Sequence, residues 1–198
     1  MVEPSPPLLV AITGASGVIY GIRILEELKK ADVPSHLIMS TWAARTITAE
    51  TDRTPGEVRD LAERVYEEKD LDAAPASGGY ASRGMVVAPC SMKSLAIIAN
   101  GLQAGLIQRA AETTLHEDRR LVLLTRETPL SAIHLENMLV VARAGAMVVP
   151  PVPAFYAKPA TIDDIVNHTV GRVLDAFGIE HQLVHRWGER RSTRLAEP

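Results

Sequence analysis

The first residues that could do chemistry form a glycine-rich turn after the apolar run near the start of the chain. Thr13, Gly14, Ala15, Ser16 and Gly17 lead directly into an amphipathic stretch. Glycines let a backbone turn tightly and bring its N–H groups to an anion at the start of a helix. Ser16 adds a hydroxyl, so the segment is either a ligand-binding loop or a plain tight turn.

This turn differs from a dinucleotide-binding loop. It lacks the GxGxxG pattern, and the second apolar run ends in Met39 and Ser40 rather than in an acidic residue that could hold a ribose diol. Both features argue against an NAD-dependent dehydrogenase.

Three later junctions carry further polar groups. Ser91, Lys93 and Ser94 open a predicted helix, where the dipole favours anions, although Ser91 is equally explained as an N-cap. Arg126 and Glu127 follow a buried run and form either a structural ion pair or an anion clamp beside a general acid/base. The last junction is a proline-rich loop that ends in a tyrosine, 150–156. The shared chemistry predicts one or two phosphate-bearing ligands.

Alternating apolar runs and amphipathic stretches must position these groups. Strands are predicted at 8–13, 36–40, 85–88, 121–125 and 146–149, and helices at 18–30, 41–50, 54–68, 91–100, 107–117, 131–144 and 162–177. This alternation predicts an α/β, Rossmann-like, doubly wound and mostly parallel sheet, with ligands beyond the carboxyl ends of its strands. We expect a single domain at 8–180, preceded by an extension at 1–7 and followed by a C-terminal segment and tail at 181–198.

Composition excludes several classes of function. The chain has 198 residues, 46% of them apolar, and a formal net charge of −3, which is unlike the basic footprint of a nucleic-acid binder. No apolar run is long enough to span a bilayer and no secretory signal is recognised, so we expect a cytoplasmic protein without a membrane partner. A single cysteine, Cys90, excludes a disulfide framework within the chain and is interpreted as a small core residue rather than a nucleophile.

Several segments together resemble one family. The runs GASG, PCSMKSLAIIANGL, LTRETPLSAIHLENML, PPVPAFYAKP and DDIVNHTVGRVLDAFGI, spread over 8–179, resemble the UbiX family of flavin prenyltransferases. The resemblance implies a Rossmann-like flavoprotein, typically a homododecamer, that needs no metal. It implies transfer of a dimethylallyl group from dimethylallyl monophosphate to N5 and C6 of reduced FMN, with release of phosphate. The product would serve a UbiD-type decarboxylase.

The same resemblance assigns roles to individual residues. It implies catalytic roles for Ser16, Glu127 and Glu50. The residues that it places against FMN are Gly14, Ala15, Ser16, Ser40, Ser91, Met92, Lys93, Ser94 and Arg126. Those that it places against the allylic phosphate are Tyr156, Arg172, Arg126, His116 and Trp187.

One position departs from the family pattern. The family usually has a lysine in an LKE stretch, whereas this chain has Leu115, His116 and Glu117. Because histidine is only partly protonated near neutral pH, phosphate binding would be weaker or pH-dependent, or the substrate would differ. An aromatic wall for the allyl cation is expected from Tyr80, Tyr156 and Trp187.

Two other functions are compatible with the sequence. A flavin-dependent cysteine decarboxylase has a loop parallel to PCSMKSLAIIANG, but its PxMNxxM-type signature is absent. A flavin-binding subunit without turnover is the other alternative, and His116 is the residue that favours it.

Some residues with possible chemistry have simpler interpretations. His181 and His185 have metal-ligand spacing but no third ligand, which favours a solvated or interfacial role. The methionines at 85, 92, 138 and 147 are interpreted as core residues.

Overall fold

Six strands form the centre of the molecule in the computed structural model, which describes residues 5–184. They are β1 (Leu8–Ile12), β2 (Ser35–Met39), β3 (Arg64–Glu67), β4 (Gly84–Cys90), β5 (Leu121–Thr125) and β6 (Met147–Val148). The order across the sheet is β3-β2-β1-β4-β5-β6, and every neighbouring pair is parallel. The predicted doubly wound α/β fold is therefore confirmed.

Seven α-helices of the described region cover both faces of this sheet. They are α1 (Val18–Lys30), α2 (Thr41–Glu50), α3 (Pro55–Arg59), α4 (Met92–Ala99), α5 (Leu106–His116), α6 (Ala132–Arg143) and α7 (Ile162–Ala176). The helices α1, α2, α3 and α7 pack on one face, and α4, α5 and α6 pack on the other.

The core lies in two layers separated by the sheet. In β1, Leu8, Val10 and Ile12 pack with α1 and α7, whereas Leu9 and Ala11 pack with α4 and α5. Burial on both faces explains why the strands read as continuous apolar runs rather than as alternating ones.

The predicted helix at 54–68 is wrong beyond its first turns. The capping box between Thr54 and Glu57 is present, but α3 ends at Arg59. The chain then forms β3, an edge strand in which Val65 pairs with Leu37 of β2. Only half-buried, β3 lacks the long apolar run that identified the central strands, and Val65 and Tyr66 suit a pleated edge better than a helix.

The chain changes direction between β1 and β4, which are adjacent although far apart in sequence. Such a switch point opens a crevice beyond the carboxyl ends of the strands. Helix α1 comes close to the sheet here, because a Cβ on Gly21 would overlap the carbonyl oxygen of Ala88 and lie 2.8 Å from Ile12 Cγ1.

Two interpretations of single residues are wrong. His181 is not solvated, because its side chain is only 3% exposed, packs onto α7 over Gly171 and lies 3.3 Å from Asp175. The interfacial alternative for this histidine stays a prediction. Met147 lies on the short strand β6 and is partly exposed instead of buried in the core. In the described part of the chain, no helix is both long enough and apolar enough to cross a membrane.

We predict that Gly21→Ala destabilises the protein although alanine favours helices. The added methyl group would push α1 away from β1 and β4, at a cost of about 1–3 kcal/mol in the free energy of unfolding. Urea unfolding of the apoprotein measures this change. Gly56→Ala in α3 is the matched control, since a Cβ there meets only Thr54 Oγ1 at 3.8 Å, and we expect it to be neutral or slightly stabilising. Equal unfolding midpoints for the two variants would contradict the close packing of α1.

Candidate active site

Two cavities open at the carboxyl edge of the sheet, on either side of the turn that follows β1. The first, called the α4 cavity, has a volume of about 410 Å³ and is lined by residues that include Gly14, Ser40, Ser91, Lys93 and Ser94. The second, called the arginine cavity, has a volume of about 860 Å³. Its lining includes Ser16, Glu50, Arg126, Glu127 and the loop 150–153. Both volumes lie in the range of about 300–1,000 Å³ that is typical of small-molecule sites.

Thr13 fixes the relative position of the strand ends between these cavities. Its buried hydroxyl donates to the carbonyl of Pro89 at 2.7 Å and accepts from the backbone N–H of Ser91 at 2.9 Å. The side chain and the N–H of Thr13, which bonds to the same carbonyl at 3.3 Å, together link the turn after β1 to the start of α4. No role was predicted for Thr13 from the sequence, although a threonine at the end of an apolar strand could have suggested one.

The start of α4 combines several groups that favour an anion. Ser91 is an N-cap, as one interpretation predicted, because its hydroxyl accepts from the N–H of Ser94 at 3.2 Å. The N–H groups of Met92 and Lys93 have no protein acceptor among residues 5–184, and no carboxylate of that range pairs with the Lys93 ammonium. Helix dipole, free N–H groups and a cation thus meet at the α4 cavity.

Glu50 occupies the start of α1. Its Oε2 accepts from the N–H of Gly17 at 2.8 Å and from that of Val18 at 3.4 Å. The expectation that the glycine-rich turn offers its helix-start N–H groups to a ligand anion is therefore wrong for these two, because a carboxylate of the protein takes them. Gly17 has a positive φ of 96°, which explains the glycine at this position.

Arg126 and Glu127 do not form the ion pair that was one interpretation of their sequence. No carboxylate of the described residues pairs with Arg126, and Glu127 Oε1 accepts from the N–H of Thr128 at 2.9 Å. Both side chains are exposed at the arginine cavity. The preceding residue, Thr125, also lines this cavity, and its hydroxyl is buried without a hydrogen-bond partner in the described part of the chain. The sequence analysis missed Thr125.

The predicted substrate ligands Tyr156 and Arg172 lie outside both cavities. Tyr156 belongs to a short 3₁₀ turn, Phe155–Ala157, and its hydroxyl lies 3.1 Å from Nε2 of His168 on α7. Arg172 follows one helical turn later and is near enough to lower the pKa of His168. His168 therefore lies between Tyr156 and Arg172 and interacts with both. No role was predicted for His168 from the sequence.

Two more predicted ligands are not brought to the cavities. His116 is the last residue of α5, its side chain is 85% exposed, and it precedes β5, so it lies at the amino edge of the sheet, opposite the cavities. Trp187 lies outside the described residues. Of the predicted FMN contacts, Ala15 lies within the turn after β1, and Met92 is the first residue of α4 and packs against the core.

Tyr80 does not form an aromatic wall at either cavity. Its hydroxyl is hydrogen-bonded to His36 Nδ1, and burial raises the pKa of its phenol. The cavities contain other aromatic side chains instead. Tyr20, on the first turn of α1, lines the arginine cavity, and burial raises its pKa. Trp42 lines the α4 cavity and packs under the guanidinium of Arg45.

Cys90 is confirmed as a core residue. It is fully buried at the end of β4, and desolvation raises the pKa of its thiol to about 12. A thiol that stays protonated at neutral pH is a poor nucleophile. Among residues 5–184, no group of three or more histidine, cysteine or acidic side chains is arranged to hold a metal ion.

We predict that Thr13→Val weakens both the fold and ligand binding. Valine keeps the shape but leaves the N–H of Ser91 unpaired and removes one of the two hydrogen bonds to the carbonyl of Pro89, which also accepts from the N–H of Thr13 at 3.3 Å. The loss costs about 1–3 kcal/mol in the free energy of unfolding. Urea unfolding measures the stability, and flavin fluorescence titration measures the dissociation constant of FMN. Thr48→Val is the matched control, because the Thr48 hydroxyl makes only an exposed bond to the carbonyl of Ala44. If both variants unfold like the wild type, the Thr13 bridge is not a structural determinant.

Comparisons with known proteins identify the family of this chain. The flavoprotein family profile matches residues 2–174. A probable UbiX-like flavin prenyltransferase of Bacillus subtilis is 51% identical over 180 residues, which are 91% of this chain and 88% of the relative.

Solved structures give the same result. The crystal structure of AnUbiX (PadA1) in complex with FMN and dimethylallyl pyrophosphate has a TM-score of 0.91 and 49% identity, over 92% of this chain and 97% of that chain. A dodecameric FMN-dependent UbiX-like decarboxylase from Escherichia coli O157:H7 has a TM-score of 0.89 and 49% identity, over 91% of this chain and 98% of that one.

A more distant structure bears on the cysteine decarboxylase alternative. The FMN-dependent cysteine decarboxylase TvaF has a TM-score of 0.65 at 16% identity, over 87% of this chain and 98% of that chain, which shows a shared fold alone. The match to the family profile and the identity of about half to the relatives named above decide the assignment. The chain belongs to the flavoprotein family and, within it, to the UbiX-like flavin prenyltransferases.

Proposed function

We propose that this protein joins a dimethylallyl group from dimethylallyl monophosphate to N5 and C6 of reduced FMN and releases phosphate. The observation that carries the proposal is the convergence of Ser16, Glu50, Arg126 and Glu127 on one cavity beside a second, anion-favouring one. Relatives of about half identical sequence are named flavin prenyltransferases, and one similar structure is a complex with FMN and an allylic pyrophosphate.

The donor groups of the α4 cavity fit the phosphate end of FMN. The free N–H groups at the start of α4 and the Lys93 ammonium favour a phosphate, and Ser40 and Ser94 add hydroxyls to the lining. The flavin ring is proposed to extend past Ser16 towards the arginine cavity, where the unpaired hydroxyl of Thr125 is consistent with a polar ligand. When bound and reduced, FMN supplies the nucleophilic nitrogen and carbon atoms.

The positive side chains would stabilise the departing phosphate. Breaking the allylic C–O bond leaves its electron pair on the phosphate, so charge develops there in the transition state. Arg126 has no carboxylate partner in the described region and is available for this role. Tyr156 and Arg172 are the proposed additional ligands of the phosphate.

Two carboxylates are candidates to accept the proton lost when C6 is alkylated. Glu50 is held by the N–H groups of Gly17 and Val18, which fix its position beside Ser16. Glu127 is exposed at the same cavity. A general base must be held within hydrogen-bond reach of the proton that it accepts, and both carboxylates line the cavity proposed to hold the reacting atoms.

Tyr156 and Arg172 lie outside the cavities of their own chain, so we propose that a second copy completes the site. The segment 152–162, to which Tyr156 belongs, exposes the apolar side chains of Val152, Phe155 and Ile162. Helix α6 adds a second exposed apolar surface, formed by Ile133, Leu135, Leu139 and Val140. Exposed apolar surfaces of this kind are typical of subunit interfaces, and one similar structure is dodecameric. Transfer of the product to a UbiD-type decarboxylase and a cytoplasmic location complete the proposal.

Mass spectrometry of the flavin tests the activity. After anaerobic incubation of the purified protein with reduced FMN and dimethylallyl monophosphate, we expect FMN to gain one five-carbon prenyl unit. Ser16→Ala and Arg126→Ala should each slow product formation by about 100-fold, because they remove polar groups next to the reacting atoms. The matched controls Ser77→Ala and Arg59→Ala change exposed residues away from the cavities and should retain wild-type rates.

Other results of this experiment would overturn the proposal. Unmodified FMN that stays tightly bound to the wild type would identify a flavin-binding subunit without turnover. Loss of carbon dioxide from a peptide with a C-terminal cysteine, without prenylation, would identify a decarboxylase.

The α6 surface predicts the effect of a single charge on assembly. Ile133 is 69% exposed, and Ile133→Glu should dissociate the oligomer, because a carboxylate buried in an apolar interface costs several kcal/mol. Mass photometry measures the assembly state. Leu71→Glu is the control, since Leu71 is also an exposed aliphatic side chain but lies outside α6. An unchanged mass for Ile133→Glu, or a monomeric wild type, would contradict this interface.

A further inference from the structure

A hydrogen bond links Tyr156 to a histidine that the proposed function has not used. The hydroxyl of Tyr156 lies 3.1 Å from Nε2 of His168, and the two rings meet edge to face with centroids 5.8 Å apart. His168 and Arg172 are four residues apart on α7, so their side chains lie on the same face of the helix. That face is opposite the buried residues Val166, Val170 and Val173, which pack towards the sheet.

The direction of this hydrogen bond decides what Tyr156 can do. A phenol has one proton to donate, whereas a neutral imidazole has one N–H and one acceptor nitrogen. If Nε2 of His168 accepts the phenol proton, Tyr156 has none left for an anion. If Nε2 carries the hydrogen, His168 donates to Tyr156, and the phenol proton can point to a phosphate oxygen.

Other charged groups near His168 already have partners. On α7, Asp164 accepts from the N–H groups of Ala160 and Thr161, each at 2.9 Å. Asp175 pairs with both Arg172 and His181. On α1, which packs against the other side of α7, Arg23 pairs with Asp163, and Tyr20 is hydrogen-bonded to Thr169. Among residues 5–184, Arg172 is the charged group that lowers the pKa of His168.

We propose that His168 is the positioning residue of the phosphate-binding tyrosine, donating from Nε2 to Tyr156 so that the phenol proton is directed to the phosphate of the allylic substrate. This inference rests on the proposed function and adds a residue to its phosphate site. His168 does not touch the phosphate itself. It acts through Tyr156, while Arg172 supplies the charge.

The surroundings of His168 predict how this effect depends on pH. Partial burial and the charge of Arg172 lower its pKa, so the imidazole is neutral at pH 7 and becomes a cation only below its ordinary value of 6.5. The cation must donate from Nε2 and adds a positive charge, so substrate binding should strengthen as the pH falls through this lowered pKa. The phosphate monoester itself gains a proton near pH 6 and loses negative charge, which weakens its binding as the pH falls. The wild type must therefore be compared with a variant in which residue 168 does not titrate.

Steady-state kinetics of the FMN-loaded protein with dimethylallyl monophosphate, together with calorimetric titration of inorganic phosphate, tests the inference. We expect His168→Leu to raise the KM and the dissociation constant of inorganic phosphate by about tenfold, with little change in kcat. His168→Gln should recover most of this loss, because its amide N–H lies near the position of Nε2. Because glutamine does not titrate, the KM of His168→Gln divided by the KM of the wild type should rise as the pH falls below about 6.5. Tyr156→Phe combined with His168→Leu should be no worse than Tyr156→Phe alone.

Several outcomes would overturn the inference. Phosphate binding by His168→Leu equal to that of the wild type would exclude action through Tyr156. So would an effect of His168→Leu that adds fully to that of Tyr156→Phe. A loss of FMN affinity or a lower melting temperature in both His168 variants would show a structural role instead. If the wild type makes no prenylated FMN while inorganic phosphate binding still follows the pattern above, the proposed function fails and the role of His168 stands.

Discussion

The hydroxyl of Thr13 bridges the two strands between which the chain changes direction, and the candidate site depends on that bridge. A doubly wound sheet opens at this point because its crossovers diverge to opposite faces. β1 and β4 pair as strands, and the N–H of Thr13 also bonds to the carbonyl of Pro89. The Thr13 hydroxyl extends this link to the start of α4, because it donates to Pro89 and accepts from the N–H of Ser91. The close approach of α1 at Gly21 holds the same region from one face of the sheet.

The central elements could be predicted because their burial leaves a pattern in the sequence. β1 and β5 are buried on both faces and appear as unbroken apolar runs, and the polar turns after them were recognised as junctions. β3 could not be recognised in this way, because an edge strand is only half-buried and its four residues follow a true helix start at Thr54. Thr125 and Thr13 were missed for a related reason. In the sequence each is only a threonine at the end of an apolar strand, and the structure is needed to show what its hydroxyl faces.

The position of the proposed phosphate ligands could not be derived from the order of junctions alone. Tyr156 does follow the last strand, as predicted, but its hydroxyl turns to His168 on the outer face of α7. Arg172 lies on that same face, and His116 lies at the opposite edge of the sheet. Sequence shows which residues a family shares, but not whether one chain or two bring them together. The exposed apolar side chains Val152, Phe155 and Ile162 support the proposal that a further copy covers this surface.

The carboxylates at the cavities distinguish the helix starts that face them. Every helix that follows a parallel strand presents N–H groups at the same edge, so the fold alone does not decide where a phosphate binds. Glu50 takes the N–H groups of Gly17 and Val18 at α1, and Glu68 accepts from the N–H of Thr41 at α2, at 3.3 Å. At α4 the corresponding N–H groups have no protein acceptor in the described region. Glu68 and Lys93 both line the α4 cavity, so the ammonium offsets the charge of the carboxylate there. Of the three starts, α4 therefore keeps its N–H groups available to an anion, whereas α1 and α2 have theirs occupied by carboxylates.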